Sequence, residues 1–195
     1  STLLNMLGGL EKPTAGEVWV AGQPLHSFSE NQLVTFRRER VGFVFQSFNL
    51  ISSMTAEENV AWPLSFQGVP KSERMLRARA ALNRMGLAKH LRHKPTQMSG
   101  GQQQRVGIAR ALVVDPKIVF ADEPTGNLDS RTAEATLNLF RQLCAKYHQT
   151  WVMVTHDAHL ASFADIIVHI IDGRITSIER TDHSSAPEVE RTNTR

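Results

Sequence analysis

Ile118-Val119-Phe120-Ala121 runs directly into Asp122 and Glu123. An unbroken apolar run fills both faces of a strand, so that strand must be covered on both sides, as in a sheet flanked by helices. The two acids then fall at its C-terminal end, the edge where open α/β sheets bind ligands. A carboxylate placed there, such as Asp122, can hold Mg²⁺ through water. Glu123 can accept a proton from an attacking water. A strand that simply ends in polar residues would read the same at this one place, so the rest of the chain decides.

Strand and helix patterns alternate along the chain, which predicts α/β architecture with a largely parallel sheet. Ser1 to Leu7 reads as the first turns of a helix, Glu17 to Ala21 as a short strand closed by Gly22, and Val41 to Phe45 as a buried strand ending at Gln46. Between residues 47 and 98 the character changes. Met75, Ala78, Leu82 and Met85 recur at helical spacing, with Arg74, Arg77 and Arg84 between them. This predicts a small helical lobe inserted into the core, its arginine face solvated. Ser99 to Val114 is a second helical segment, opened by a capping-box pair, Ser99 and Gln102. A helix is expected over Ser130 to Tyr147 and a buried strand over Trp151 to Thr155. A hairpin is expected around Asp172-Gly173, joining Ile166–Ile171 to Arg174–Ile178. Residues 1–180 are thus expected to form one domain, and 181–195, polar and without periodicity, a disordered tail.

Composition narrows the class. At 195 residues and 41% hydrophobic content, the chain can bury a core. A net charge of only +3, with no concentrated patch, argues against nucleic-acid binding. Cys144 is the single cysteine, so an internal disulfide is impossible and a reducing compartment is expected. It shares a helical pattern with Leu137 and Phe140 and reads as core. The longest apolar stretch, Ile166 to Ile171, is too short to span a membrane and is interrupted by His169. No signal peptide is visible, and Ser1 is not a natural start.

Four further features gather around the acids. Ser99-Gly100-Gly101-Gln102 places two glycines after a capping serine, exposing backbone N–H groups at the positive end of a helix. That makes a cradle for phosphate, although an ordinary capped helix shares the pattern. His156 follows the strand Trp151–Thr155, where an imidazole can reach a terminal phosphate and hold the attacking water. Gln46 ends a buried strand and opens the lobe; its amide can ligate Mg²⁺ or orient water. Gly126-Asn127-Leu128-Asp129 follows the acids and precedes a helix that Asp129 can cap. His90 and His93 have a spacing compatible with metal, but no cluster of carboxylates or cysteines supports it.

Taken in order, these segments resemble the motifs of the ATP-binding cassette (ABC) ATPases. Ser99–Gln102 resembles the signature motif, Ile118–Glu123 the Walker B motif, Gln46 the Q-loop, Gly126–Asp129 the D-loop and His156 the switch histidine. Met98 stands where leucine is usual; a flexible apolar side chain serves there. Ser1-Thr2-Leu3-Leu4 resembles the end of a Walker A motif, G-x-x-x-x-G-K-[ST]. By that likeness Ser1 is expected to ligate Mg²⁺, and Thr2 to lie beside the nucleotide. The Walker A glycines, its lysine, the preceding strand and the aromatic residue that stacks on adenine are expected upstream of this sequence. Without them, the 195 residues are expected to hydrolyse ATP poorly.

Gly8-Gly9-Leu10-Glu11, Arg37 to Gln46, Asn59-Val60-Ala61 and Gly126 to Asp129 further resemble one bacterial subgroup. Its ATPases pair with lipoprotein-releasing, macrolide-export and cell-division (FtsX-like) permeases. The resemblance implies a P-loop NTPase-type fold, ATP and Mg²⁺ as ligands, and a head-to-tail homodimer or paired ATPase subunit. ATP on one copy would meet Ser99, Gly100, Gly101 and Gln102 of the other. Glu123, His156 and Gln46 would be catalytic. Ser1, Gln46 and Asp122 would hold the metal, and Asp129 would link the sites. An integral-membrane permease would be a separate chain, with the ATPase peripheral on the cytoplasmic face of the inner membrane. Two rival readings are a non-transport ABC ATPase of DNA repair or translation type and a nucleotide-binding regulator without turnover. DNA-repair types usually carry a long coiled coil between the Q-loop and the signature motif, where this segment is short, and translation types carry two cassettes where one is seen here; intact Glu123 and His156 oppose the second.

Overall fold

The computed structural model describes residues 1–147 and 149–181. The expected tail from residue 182 onward lies outside the described residues. The described residues pack as two compact units, Ser1–Val154 and a second that begins at Thr155. The helical lobe belongs to the first.

The first unit is built on a parallel three-stranded sheet in the order β3 (Val41–Phe45), β4 (Ile118–Asp122), β5 (Thr150–Val154). Phe45 lies opposite Asp122, which lies opposite Val154, so all three strands end at one edge. Val119, Phe120 and Ala121 of the central strand are fully buried. That is the physical result of an apolar run with a strand on either side and helices over both faces. Phe120 joins a core with Leu4, Val20, Leu25, Leu33, Phe36 and Val41. Leu4 comes from α1 (Thr2–Leu7), which this core ties to the central strand. Burying each such side chain contributes about 1.5–3 kcal/mol.

Three helices of this unit begin with the same reciprocal cap: α2 (Glu30–Arg40) at Ser29/Gln32, α3 (Ala56–Phe66) at Thr55/Glu58, and α5 (Gly100–Leu112) at Ser99/Gln102. In the lobe, α3 packs on α4 (Lys71–Arg84) through fully buried Val60, Leu64, Ala78 and Leu82. Glu57 and Arg79 close the pair at 2.7 Å. Buried Asn59 accepts the Ile51 N–H at 2.8 Å, and its amide NH₂ shares two hydrogens among the carbonyls of Ile51, Met54 and Thr55, fixing the loop that enters the lobe.

Boundaries differ in small ways from the pattern. The strand expected over Glu17–Ala21 shrinks to β1 (Trp19–Val20), paired with β2 (Gln23–Pro24). Ala21 and Gly22 form the two-residue turn, both in the left-handed region at φ 49° and 73°, and Pro24 has no N–H to continue the ladder. β4 gains Asp122, β5 starts one residue early, and α5 stops at Leu112. Helix α6 (Ser130–Tyr147) lies where its amphipathic pattern puts it. Leu137, Phe140 and Leu143 are buried, and Cys144 sits half-buried at their margin.

The second unit contains a short helix, α7 (Ala158–Ala161), and a hairpin of β6 (Ile166–Ile171) and β7 (Arg174–Arg180). Asp157 caps α7 by accepting the His159 N–H at 2.8 Å. The hairpin turns at Asp172-Gly173 and leaves Ile166, Val168, Ile170, Ile171, Ile175 and Ile178 exposed.

Candidate active site

The sheet's C-terminal edge gathers the first group of candidates. Asp122 ends β4, and both of its carboxylate oxygens accept from the Ser1 hydroxyl, at 2.9 and 3.1 Å. Residues far apart in sequence therefore meet as a compact set of hard oxygen donors. That donor chemistry suits Mg²⁺, which binds through a few protein oxygens and completes its shell with phosphates and water. Thr2, the first residue of α1, lies beside this pair in the chain and is exposed.

Glu123 adopts φ 43°, a left-handed conformation that costs a non-glycine residue about 1–3 kcal/mol. Two backbone bonds hold it there: its N–H donates to the Val154 carbonyl at 2.9 Å, and its carbonyl accepts the Gly126 N–H at 3.0 Å. The strand thus breaks sharply after Asp122 and turns Glu123 out of the ladder. Gln46, one residue past β3, packs against this turn. A methyl group at Gly126 would lie 2.7 Å from the Gln46 Nε2, and Asn127 donates to the Gln46 carbonyl at 3.0 Å. Ser1, Gln46, Asp122 and Glu123 therefore share one edge.

The second group is the start of α5. The Ser99 N–H donates to Gln102 Oε1 at 2.9 Å, and the Gln102 N–H donates to Ser99 Oγ at 3.3 Å. Gly100 and Gly101 occupy the first turn, partly exposed. A Cβ on Gly101 would collide with the Thr132 methyl of α6, so glycine is required by close approach. A Cβ on Gly100 would only touch Leu128, Asn127 and Phe48. Gln102's amide is occupied at both ends, its Nε2 lying 3.1 Å from His90 Nε2.

Two residues that pattern reading passed over join these groups. Gln104 of α5 is fully buried and donates to the Pro124 carbonyl, in the turn after Glu123. Arg110 donates to the carbonyls of Phe48, at 2.9 Å, and Asn49, both left-handed residues of the Gln46 loop. Burial pulls the Arg110 guanidinium below the ordinary arginine range. A polar side chain inside the apolar stripe of α5 was the available signal for Gln104. Arg110 carried none that distinguishes it from a surface arginine.

Asp129 stands at the start of α6 and accepts the Thr132 N–H at 3.0 Å. Hydrogen bonds from the Thr132 side chain and backbone hold its carboxyl below the usual aspartate range. His156 belongs to the second unit, exposed, two residues beyond the end of β5 in the chain. His90 and His93 lie with ring centroids 5.0 Å apart, and no group of three or more His, Cys, Asp or Glu forms a metal cage among the described residues.

A parallel sheet with an acid-tipped central strand, a hydroxyl on that acid and a glycine-started capped helix define an α/β nucleoside triphosphatase. The comparisons with known proteins specify it. A family model described as ABC transporter matches residues 1–126. An uncharacterized ABC transporter ATP-binding protein of Thermotoga maritima is 49% identical over 180 residues, 92% of this chain and 76% of that protein. A macrolide export ATP-binding/permease protein, MacB, of Syntrophobacter fumaroxidans is also 49% identical, over 90% of this chain but only 25% of its own length. Among solved structures, the dimeric post-hydrolysis state of the ATP-binding cassette MJ0796 bound to ADP and Pi has a TM-score of 0.84 at 43% identity. The match covers 93% of this chain and 80% of that one. The chain belongs to the ABC transporter family, as an ATP-binding, ATP-hydrolysing cassette. No helix among the described residues is long and apolar enough to cross a membrane.

Proposed function

We propose that this chain is the ATPase of a membrane export complex, working as a head-to-tail dimer beneath a separate permease of the macrolide-exporter or FtsX-like type. One observation carries the catalytic part: Ser1 Oγ bonded to Asp122 beside the strained Glu123, at the end of three parallel strands. Dimeric assembly is supported by the dimeric cassette structures that this chain resembles. Export is supported by relatives named for macrolide export, of which this chain spans about a quarter. Lipoprotein-type substrates rest on the subgroup resemblance. The working place would be the cytoplasmic face of the inner membrane.

In this reading Ser1, Asp122 and Gln46 hold Mg²⁺, which would neutralise phosphate charge. Glu123 takes the proton of the attacking water, and its left-handed backbone keeps the carboxylate off the strand. His156 contacts the γ-phosphate. The first-turn N–H groups of α5, at Ser99 to Gln102, present a positive helix end to the γ-phosphate of the partner's ATP. One such end covers only a side of a triphosphate; two opposed copies enclose it. Asp129 connects the two sites.

The test has two arms, both on the protein as its gene encodes it. ATP turnover should require Mg²⁺, and detergent-solubilised membranes should yield the ATPase bound to one multi-span permease with a large extracytoplasmic domain. Recovery with DNA-associated proteins, and with no membrane partner, would overturn the export reading.

A further inference from the structure

Gln102 closes the cap of α5 only in one orientation of its amide. Its Oε1 must face the Ser99 N–H, and it does so at 2.9 Å. The Nε2 end, which carries only donors, then faces His90 Nε2 at 3.1 Å. A donor needs an acceptor there, so His90 Nε2 carries no proton, and the ring's hydrogen sits on Nδ1. That Nδ1 is buried without a hydrogen-bond partner. The reverse tautomer would set N–H against N–H and would favour a flipped amide, which breaks the Ser99 bond. The cap of α5 and the tautomer of His90 are thus one arrangement.

The imidazole is anchored from the lobe. The segment carrying it returns its carbonyls to the start of α3: His93 accepts the Ala56 N–H at 2.8 Å, and Leu91 the Glu57 N–H at 3.0 Å. His90 also lies against the His93 ring, with centroids 5.0 Å apart. α3 is the helix that follows the Gln46 loop. The lobe therefore sets where the imidazole stands, and the imidazole sets which way Gln102 points.

We propose that His90 is a positioning residue: through a neutral, Nδ1-protonated ring it locks the Gln102 amide and holds the first turn of α5 ready for phosphate. Its consequence for turnover rests on the reading that this turn meets the partner's ATP. The contact itself does not. His90→Leu removes the acceptor and lets the amide turn. The ATP concentration for half-maximal turnover should rise about fivefold, the scale of one lost orienting hydrogen bond, with kcat changed less. A generally loosened protein would instead lose active fraction, lowering kcat at unchanged KM. His90→Gln places an amide oxygen where Nε2 stood and should bring KM back to within about twofold of the parent.

Two readouts are independent of ATPase activity. Nitrogen NMR of the His90 ring should show an unprotonated Nε2, and hydrogen exchange at the Ser99 and Gln102 amides should quicken in His90→Leu but not in His90→Gln. A protonated Nε2 in the parent protein, or equal KM in the parent and His90→Leu, overturns the proposal. So does a His90→Gln variant that behaves like His90→Leu. If the parent protein does not hydrolyse ATP, the functional reading fails, and the NMR and exchange results still decide the His90 contact. If His90→Leu does not fold, the comparison of His90→Gln with the parent and the ring spectrum decide it.

Discussion

The two halves of the candidate site are built by opposite means. The sheet edge uses charge and strain: Asp122 and Glu123 are adjacent acids, and Glu123 is forced to φ 43°. The start of α5 uses neither. Its cap is neutral, its first turn is glycine, and its geometry is the ordinary one that also starts α2 and α3. Strain belongs where a reacting group must be aimed, and relaxed backbone dipoles belong where a ligand is only to be held. Changes at the sheet edge should therefore act on kcat, and changes at α5 on KM.

The largest expected effect tests the first half. Glu123→Gln keeps the shape and removes the base, so turnover should fall roughly 10²–10⁴-fold while ATP still binds. Equilibrium binding of a fluorescent ATP analogue alongside steady-state turnover checks it. A variant that loses binding and turnover together would merge the two halves into one.

Next comes Gly101→Ala. The added methyl meets the Thr132 methyl, and overpacking on this scale shifts affinity by about tenfold. KM for ATP should rise with kcat largely kept. Thr132→Ser deletes the opposing methyl, so the double variant should recover most of the loss. If it does not, the glycine is needed for approach of the ligand and not for packing against α6.

The division between halves was unevenly legible in the sequence. Ile118 to Glu123 announced a covered strand ending in acids, because an apolar run needs neighbours on both faces and acids do not stay inside. Ser99 and Gln102 announced a cap by spacing alone. The equivalent pairs Ser29/Gln32 and Thr55/Glu58 carried the same signal and went unread, since no chemistry drew attention to them. The left-handed Glu123 was illegible: it depends on the Val154 carbonyl of another strand, a contact that no local pattern encodes. The hairpin shows the converse limit. Its isoleucines read as a strand correctly, yet their exposure in the second unit depends on what surrounds them, which an apolar run does not state.

A smaller effect separates stability from ligand contact. Ser29→Ala and Ser99→Ala remove the same kind of cap, so each should cost about 1 kcal/mol in urea unfolding. Only Ser99→Ala should also raise KM for ATP. Equal KM shifts in both would mean that the cap at α5 acts through global stability.

The smallest effect concerns Asp129, which follows the acids in the chain yet works like a cap. Hydrogen bonds from the Thr132 side chain and N–H favour its charged form, so its folded pKa is depressed. The sign follows from linkage: a depressed carboxyl stabilises the fold fully above its unfolded value, about 3.9, and that stabilisation fades as pH falls through the lower folded value. Asp129→Asn offers a comparable cap that does not titrate. The stability difference between parent and variant should therefore be level at neutral pH and shrink only in the acid range below about pH 4. Urea midpoints of both proteins across that range measure it, with the other carboxylates cancelling in the difference. Because the contact is a hydrogen bond at an exposed helix start, its effect on turnover at neutral pH should be slight if capping is its whole role. A marked loss of ATP turnover in Asp129→Asn without loss of stability would give this aspartate work in the dimer beyond starting α6.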